Sequence, residues 1–528
     1  MNTYLPADQN FFTIASDAGL AHLLFPVEPS YVEEPRGRWK GQAEYVARPK
    51  STEDVSALLK LCHTHRVAII PYGGGTGLVG GQLAETGAVP LILSVEKMTK
   101  IRAVYPEENV MLVDAGVILA DIQQAAEDVD RLFPLSLASG GSARIGGCLA
   151  TNAGGVNVLR YGNTRDLCLG LEVVMADGAI WNGLGRLRKD NTGYDLRHLM
   201  IGSEGTLGII TGASLKLAPR PRDVGVALFT VPDPIAALSL LAMTRDEVGE
   251  AVSAFELMSK MGFDFLSETM PDVRQVIEDK PEWMVLIELG MGGVQSASDA
   301  LERLFELGHE AGLVSDGVIA QSTQQAQDIW TIRETIPEAN RRIGSISSHD
   351  ISLPLSMIPE FIKEAPNHLE KLCDMRINCF GHLGDGNLHY NVFPPKGRDK
   401  KEFWNLREEI KRTVHDLVVS MGGSHSAEHG IGRLKVDDLE RYSDPAKLSA
   451  LRAIKGALDP QNIWKNCATC ASIALVIWEM GTCITTSFHP KEGIRKSSGT
   501  CVMRSNAQCM IWSFRWGDRI VRNMGLVA

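Results

Sequence analysis

Four histidines and one glutamate lie within a 48-residue stretch of the 528-residue chain: His382, His389, His425, Glu428 and His429. Imidazole nitrogens together with a carboxylate are typical zinc ligands, and three protein ligands with one open position are typical of a catalytic metal site. Two of these histidines with Glu428 would complete such a set. The alternative is that each is an ordinary polar residue of a loop.

The segment GHLGDGNLHYNV predicts how two of these histidines meet. Its tail, residues 387–392, predicts a strand, and His389 and Asn391 then share a face because side chains alternate with a period of two. The glycine-flanked turn at 384–386 can fold His382 back towards His389.

Two glycine-rich runs in the first half of the chain could bind a long anionic ligand. PYGGGTGLVGG (71–81) contains one G-x-G-x-x-G match, but a Rossmann turn needs a helix directly afterwards, and poor helix formers follow here. The amides of such a run can still form a nest for a pyrophosphate, with a plain turn as the alternative. The second run, 139–162, is too rich in glycine for a regular element and predicts a functional loop. Two such runs favour one extended ligand.

Periodicity and turn residues predict the elements that position these groups. Ser51 and Asp54 begin a capped amphipathic helix over 52–65. Strands are predicted at 67–70, 91–95, 109–117 and 208–219, a hairpin at 171–181, and helices from 119 and at 234–248, 295–312 and 401–421. The Pro-Arg-Pro at 219–221 predicts a boundary near 220 between two α+β domains.

Composition and charge narrow the function classes. The chain has 44% hydrophobic and 22% charged residues, as ordinary globular proteins do, and its net charge of −11 opposes a nucleic-acid surface. The start lacks a secretory pattern, and the longest apolar run falls short of the ~20 residues of a membrane helix. We therefore expect a cytoplasmic protein with neither a nucleic-acid partner nor a transmembrane segment.

Six segments carry a family resemblance: PYGGGTGLVGG (71–81), GGSARIGGCLATNAGG (140–155), RYGNTRD (160–166), GSEGTLGIIT (202–211), GHLGDGNLHYNV (381–392) and SAEHGIGRLK (426–435). Together they resemble flavoproteins of the vanillyl-alcohol oxidase and p-cresol methylhydroxylase (PCMH) type, in the branch of FAD-linked D-lactate, D-2-hydroxyglutarate and glycolate dehydrogenases. The resemblance covers roughly 35–464. It implies an α+β fold with an N-terminal segment (1–34), a two-subdomain PCMH-type FAD-binding domain (35–220), an α+β FAD-linked oxidase C-terminal substrate domain (221–464) and an atypical tail (465–528).

The resemblance implies that FAD lies between two α+β subdomains, with its pyrophosphate at the first glycine run and its isoalloxazine near the second. The residues implicated in cofactor binding are Gly73, Gly74, Gly75, Thr76, Gly77, Ser139, Gly146, Gly147, Thr151, Asn152, Gly154, Gly155, Tyr161, Gly162, Glu204 and Ile209. No histidine occurs between His65 and His198. Both runs therefore lack the histidine that anchors flavin covalently in some relatives, and we expect dissociable FAD.

The resemblance also implies a reaction site, with His382, His389 and Glu428 as ligands of a divalent metal, His429 as the catalytic base, and Arg333 and Asn391 as substrate ligands. A solvated helix charge is the alternative for Arg333, and a structural role for Asn391. The expected metal is zinc. The implied reaction oxidises a D-2-hydroxy acid to the 2-oxo acid, with hydride transfer to flavin N5. Electron-transferring flavoprotein, a quinone or a cytochrome would then take the electrons instead of NAD, and the sequence permits a homodimer.

The sequence departs from the family pattern at two places. Related enzymes often carry lysine where Ser348 stands, so a cation for the distal carboxylate of a dicarboxylate substrate is missing there. From Trp464 onward the chain holds five of its ten cysteines and four of its nine tryptophans. This change predicts a replaced or out-of-frame terminus that is poorly ordered, with half a zinc knuckle at Cys467 and Cys470 as the alternative. The scattered cysteines before it predict reduced core thiols.

Two other function classes stay open at this point. A metal-dependent hydrolase is one, because two histidines and one glutamate also serve hydrolysis, but it leaves both glycine runs unexplained. A catalytically silent FAD-binding subunit of a larger oxidase is the other, and the presence of His429 and Arg333 disfavours it.

Overall fold

The computed structural model describes residues 4–34, 36–277 and 280–464, together with the backbone of 498–504 and 509–515. The chain divides into two compact units, 1–474 and 475–528. In the second unit, strands β19 (Ser498–Arg504) and β20 (Cys509–Arg515) pair antiparallel. Cys467 and Cys470, the residues of the alternative zinc knuckle, lie outside the described residues. Among the described helices, none combines the length and hydrophobicity needed to cross a membrane.

The first half of the chain folds into short helices and three small sheets. Its helices are α1 (Gln9–Asp17), α2 (Pro29–Val32), α3 (Thr52–His65), α4 (Leu119–Glu127), α5 (Ile145–Thr151), α6 (Val158–Tyr161) and α7 (Leu196–Met200), with a 3₁₀ turn at Ala21–Leu23. Its strands are β1 (Leu24–Pro26), β2 (Tyr45–Ala47), β3 (Ile69–Tyr72), β4 (Leu91–Ser94), β5 (Ile101–Tyr105), β6 (Val110–Asp114), β7 (Arg131–Leu132), β8 (Cys168–Val174), β9 (Ile180–Gly183), β10 (Ile209–Lys216) and β11 (Ala218–Pro219). The sheet orders are β1-β2-β4-β3, β5-β6-β10-β8-β9 and β11-β7.

Several predicted elements of this half are confirmed. Helix α3 starts at the Ser51 cap, whose hydroxyl accepts the Asp54 amide at 3.1 Å, and it buries Val55, Leu58, Leu59 and Cys62. The predicted hairpin is β8 and β9, which turn through Gly178 at φ 83°. The predicted strand at 67–70 lies two residues later, at Ile69–Tyr72.

The prediction of an irregular loop over 139–162 is wrong, because α5 and α6 lie within it. Glycine is a poor helix former in isolation, but here its missing side chain lets α5 pack closely on the sheet. A Cβ atom added at Gly146 would lie 2.7 Å from Ala115 Cβ, and one at Gly73 would lie 3.2 Å from Gly147 Cα. The glycines therefore allow a helix to lie directly against a strand end and against the first run.

The second half is built on a single seven-stranded sheet. Its strands are β12 (Asp223–Val231), β13 (Val252–Ser259), β14 (Trp283–Met291), β15 (Asp316–Ile319), β16 (Ser347–Ser352), β17 (Arg376–His382) and β18 (Asn387–Phe393). Its helices are α8 (Pro234–Val248), α9 (Lys260–Thr269), α10 (Ala297–Glu310), α11 (Thr323–Ile343), α12 (Ile358–Leu369), α13 (Arg407–Ser420), α14 (Val436–Tyr442) and α15 (Pro445–Leu458), with 3₁₀ turns at Gly249–Ala251, Leu355–Met357, Leu383–Asp385 and Lys400–Leu406. The helix predicted at 401–421 is thus a 3₁₀ turn followed by α13.

The strand order β15-β12-β14-β13-β17-β18-β16 is antiparallel at every pairing. Both faces of the sheet are buried under helices: Phe229 and Leu257 face one hydrophobic cluster, while Leu228 and Met258 face another. The central strands are therefore apolar almost throughout, so a charged residue within them stands out. Whether residue 220 is a domain boundary stays a prediction.

Candidate active site

The histidines of GHLGDGNLHYNV lie at one end of the adjacent strands β17 and β18. Phe380 pairs with His389 in the strand register, and the 3₁₀ turn between the strands ends at Gly386 with φ 80°. This turn brings the ring centroids of His382 and His389 to 5.6 Å, as the sequence predicted. Asn391 is buried, and its amide donates to the His389 carbonyl at 3.2 Å.

The three predicted metal ligands come together in space. One nitrogen each from His382 and His389 and one Glu428 oxygen all lie within 4.8 Å of one another. Burial lowers the pKa of His389 to about 4, which keeps its imidazole neutral and able to act as a ligand. Two imidazoles and one carboxylate therefore fit a divalent ion of the zinc type.

His425, the fourth histidine of the cluster, does not join this set. Its ring lies 5.7 Å from that of His415 and 5.5 Å from that of Tyr442, and burial lowers its pKa to about 4. Its carbonyl accepts the Lys435 ammonium at 2.9 Å. His425 thus belongs to a buried polar cluster beside the site.

His429 and Glu428 are held by a buried acid from β16. One oxygen of Asp350 accepts the backbone amides of Glu428 at 3.1 Å and His429 at 2.9 Å, and it lies 3.5 Å from His429 Nδ1. Burial would raise the pKa of Asp350, but His429 and Lys435 outweigh it and hold that pKa well below its usual range. The acid therefore stays ionised and orients the backbone of both residues.

Several hydrogen bonds join the segment that carries Glu428 and His429 to the first half of the chain. The Gly155 amide donates to Glu428 at 3.1 Å. Glu204, at φ 52°, accepts the amides of Ile431 at 2.8 Å and Gly432 at 2.7 Å. Two residues predicted to bind cofactor thus also contact the reaction site.

The two glycine runs lie side by side and line a cavity of about 490 Å³, whose walls include Gly73, Gly74, Gly141, Ser142 and Arg144. The missing side chain of Gly74 lets the two runs pack against each other, since an added Cβ there would collide with the Ser142 carbonyl. The buried Tyr161 hydroxyl has no hydrogen-bonding partner among the described residues, which fits a group that faces a ligand. The cradle therefore fits a cofactor that approaches backbone closely.

The remaining cofactor candidates are placed as follows: Gly75, Thr76 and Gly77 follow β3, Ser139 precedes α5, Thr151 and Asn152 end α5, Gly154 leads to α6, Gly162 caps α6 and Ile209 begins β10. The side chains of Thr151 and Asn152 are engaged within the protein, since Thr151 donates to the Gly147 carbonyl at 3.0 Å and Asn152 accepts the Arg165 amide at 3.0 Å.

Comparisons with known proteins agree on one family. Residues 43–183 match the FAD binding domain, and residues 220–466 match the C-terminal domain of FAD linked oxidases. The chain is 37% identical to the mitochondrial D-2-hydroxyglutarate dehydrogenase of Arabidopsis thaliana, over 81% of this chain and 75% of that protein. It is 36% identical to the enzyme of that name from Bos taurus, over 87% of this chain and 84% of that protein. The chain belongs to the family of FAD-linked D-2-hydroxy acid dehydrogenases.

A solved structure confirms the fold of this dehydrogenase. p-Cresol methylhydroxylase with substrate bound matches with a TM-score of 0.67 at 18% identity, over 87% of this chain and 97% of that one. This match and the family models confirm the predicted fold class, while the family models and the relatives confirm the FAD cofactor and the oxidoreductase class. FAD linkage favours the oxidoreductase over the hydrolase.

Arg333 of the dehydrogenase is not a solvated helix charge. Its side chain is 7% exposed, and its Nε lies 2.7 Å from Glu256, a fully buried acid on β13. The other Glu256 oxygen lies 2.6 Å from His382 Nδ1. Burial would raise the pKa of Glu256, but His382 and Arg333 outweigh it and hold that pKa at about 2. Burial likewise opposes protonation of His382, and Glu256 outweighs it by raising that pKa to about 9. A metal at this site would therefore displace a proton from His382, whereas His389 is already neutral.

Sequence reasoning missed Glu256 and Asp350. Glu256 is a single acid within a largely apolar strand, and this pattern is the available signal for it. Asp350 lies in the polar strand SSHDIS, where nothing in the local pattern distinguishes it. The roles assigned to the site residues stay predictions, and the geometry brings His382, His389, Glu428 and His429 into one group.

Proposed function

We propose that this dehydrogenase oxidises a D-2-hydroxy acid with a divalent metal, zinc being the expected ion, held by His382, His389 and Glu428. The observation that carries the proposal is the convergence of these three ligands within 4.8 Å. The Gly155 amide on Glu428 supports it, because this contact links the ligand set to a glycine run of the FAD-binding half.

The chemistry divides between the protein and its bound groups. The bound flavin supplies the hydride acceptor, and the bound metal supplies a Lewis acid for the α-hydroxyl. His429 takes the hydroxyl proton, because its ring is held in place: Nδ1 lies 3.5 Å from Asp350, and the His429 backbone amide donates to the same carboxylate at 2.9 Å. Arg333 binds the substrate carboxylate through its terminal nitrogens, since its Nε is already bonded to Glu256. Asn391 supports the same group.

The substrate choice rests on the relatives and on one substitution. The names of the two relatives support D-2-hydroxyglutarate as the first compound to test. Ser348 is exposed and bonded to Ser345 at 2.7 Å, so it supplies no cation for a second carboxylate. D-Lactate and glycolate therefore belong in the same panel. Non-covalent FAD, an acceptor such as electron-transferring flavoprotein, a quinone or a cytochrome, a homodimer and a cytoplasmic location stay predictions.

The test is anaerobic bleaching of the flavin by this panel, with metal analysis of the same sample. A chelator should abolish bleaching, and added zinc should restore it. His429→Ala should retain the flavin spectrum and lose bleaching, whereas His368→Ala, an exposed histidine on α12, should behave as the parent. Bleaching that survives complete removal of metal, or that His429→Ala leaves at the parental rate, would contradict the proposal.

A further inference from the structure

Glu256 occupies an unusual place for a carboxylate. It lies inside a strand of the seven-stranded sheet, between the apolar residues Phe255 and Leu257, and its side chain is fully buried. A buried carboxylate is costly unless charged or hydrogen-bonding partners compensate it. Here each oxygen has one partner: His382 Nδ1 at 2.6 Å and Arg333 Nε at 2.7 Å.

Each of these contacts fixes an atom needed elsewhere. Because Nδ1 of His382 is bonded to Glu256, the ring presents Nε2 as its free ligand atom. Because Nε of Arg333 is bonded to the same carboxylate, the guanidinium plane is fixed and its terminal nitrogens remain for a second partner. The guanidinium carbon also lies 5.0 Å from the centroid of the Phe380 ring, which restricts its rotation further.

The two partners come from different elements, a strand end and a helix. His382 ends β17 directly opposite Glu256 in the strand register, whereas Arg333 lies on α11. Because Glu256 bonds both residues, the orientation of His382 depends on the same carboxylate as the orientation of Arg333. Stability alone gives a weak reason for such a buried trio, because apolar side chains of similar volume often serve a core equally well.

We propose that Glu256 is a positioning residue shared by the metal site and the substrate site: it orients His382 for the metal and Arg333 for the substrate carboxylate. The inference rests on the proposed function. It assigns Glu256 a double effect, on metal affinity through His382 and on substrate affinity through Arg333.

The test uses Glu256→Gln in the full-length, FAD-loaded protein. A glutamine keeps the shape, but its single carbonyl oxygen can accept from only one of the two donors. Zinc affinity, measured by competition with a chromophoric chelator, should fall about 10- to 100-fold. At saturating zinc, the KM for the best substrate of the panel should stay above the parental value, and the fold-increase in KM should exceed the fold-decrease in kcat. The flavin spectrum should match that of the parent.

Glu288→Gln is the matched control. Glu288 lies on the neighbouring strand β14 and bonds the same helix α11 through Trp330 Nε1 at 2.8 Å, without touching His382 or Arg333 among its hydrogen bonds. It should keep the parental zinc affinity and KM. Glu256→Asp retains the charge at a shorter reach and should recover part of the zinc affinity, and it serves as the test variant if Glu256→Gln does not fold.

The outcomes separate the two proposals. Parental zinc affinity in a folded Glu256 variant overturns the inference, and so does a KM that returns to the parental value at saturating zinc. If the parent itself binds zinc no better than His389→Ala, the proposed metal site fails instead.

Discussion

Replacing Gly146 by alanine tests whether close packing of α5 builds the flavin cradle. The added Cβ would lie 2.7 Å from Ala115 Cβ and 3.0 Å from the Ala115 carbonyl oxygen. Ordinary contacts between carbon atoms are about 3.5–4.0 Å, so helix and strand must separate by roughly 1 Å. The Gly146 amide also donates to this carbonyl at 2.8 Å, and the separation strains that bond.

The magnitude follows from two opposing effects. Overpacking a close contact costs about 1–3 kcal/mol, and alanine in place of glycine within a helix returns about 1 kcal/mol. We expect a net loss of up to about 2 kcal/mol in the free energy of unfolding. FAD should be retained more weakly, because α5 carries Gly147 against Gly73.

Urea unfolding and flavin retention after gel filtration measure the two effects. Gly185→Ala is the control, because an added Cβ there meets nothing within 4 Å and the residue is exposed. If Gly146→Ala unfolds at the same urea concentration as the parent, or at a higher one, and retains FAD equally, the close-packing argument is wrong.

Three further predictions address single groups. Hydrogen bonds from two neighbouring arginines hold the pKa of Glu338 at about 2, below its ordinary 4.5. Ionised Glu338 therefore contributes fully to the stability of the folded protein above pH 4.5, and this contribution disappears as the pH falls towards 2. Glu338→Gln should therefore cost at most about 1 kcal/mol at pH 6 and progressively less below pH 4.5, and an equal cost at pH 6 and pH 3 in urea unfolding would contradict this. Asp350→Asn should slow anaerobic flavin reduction roughly 10- to 100-fold with FAD retained, since charge-assisted bonds to the Glu428 and His429 amides are weakened, and an unchanged rate would refute the role. Among the described cysteines, peptide mapping after alkylation of the native protein should find Cys373 modified first, because the other four are buried, and early labelling of those four would contradict their burial.

Local patterns predicted the elements whose causes are local. Helix α3 follows from the Ser51 cap and its apolar spacing, and the meeting of His382 with His389 follows from a short glycine turn. Helix α5 was missed because its glycines are explained only by the strand on which they pack. That strand is distant in sequence, and no local rule reports such a contact.

The missed acids have the same kind of cause. Glu256 meets His382 across 126 residues through strand register, and Asp350 meets His429 across 79. The site residues that lie in family motifs could be predicted, because a recognised motif identifies them without knowledge of their contacts in the fold. For an acid outside those motifs, the contacting residues can be identified only once the strand order of the sheet is known.

Gly155 and Glu204, both in the first half of the chain, hydrogen-bond the segment from Glu428 to Gly432. Because both sites contact this segment, FAD binding and binding of the proposed metal are thermodynamically linked. Such linkage is reciprocal: each ligand changes the affinity of the other by the same factor. If the proposed metal site holds zinc, any free energy by which bound FAD stabilises the segment also tightens zinc binding, and bound zinc tightens FAD binding by the same amount. We therefore expect flavin-stripped protein to bind zinc more weakly than holoenzyme by the factor with which zinc removal weakens FAD, and unequal factors in paired titrations would rule this out.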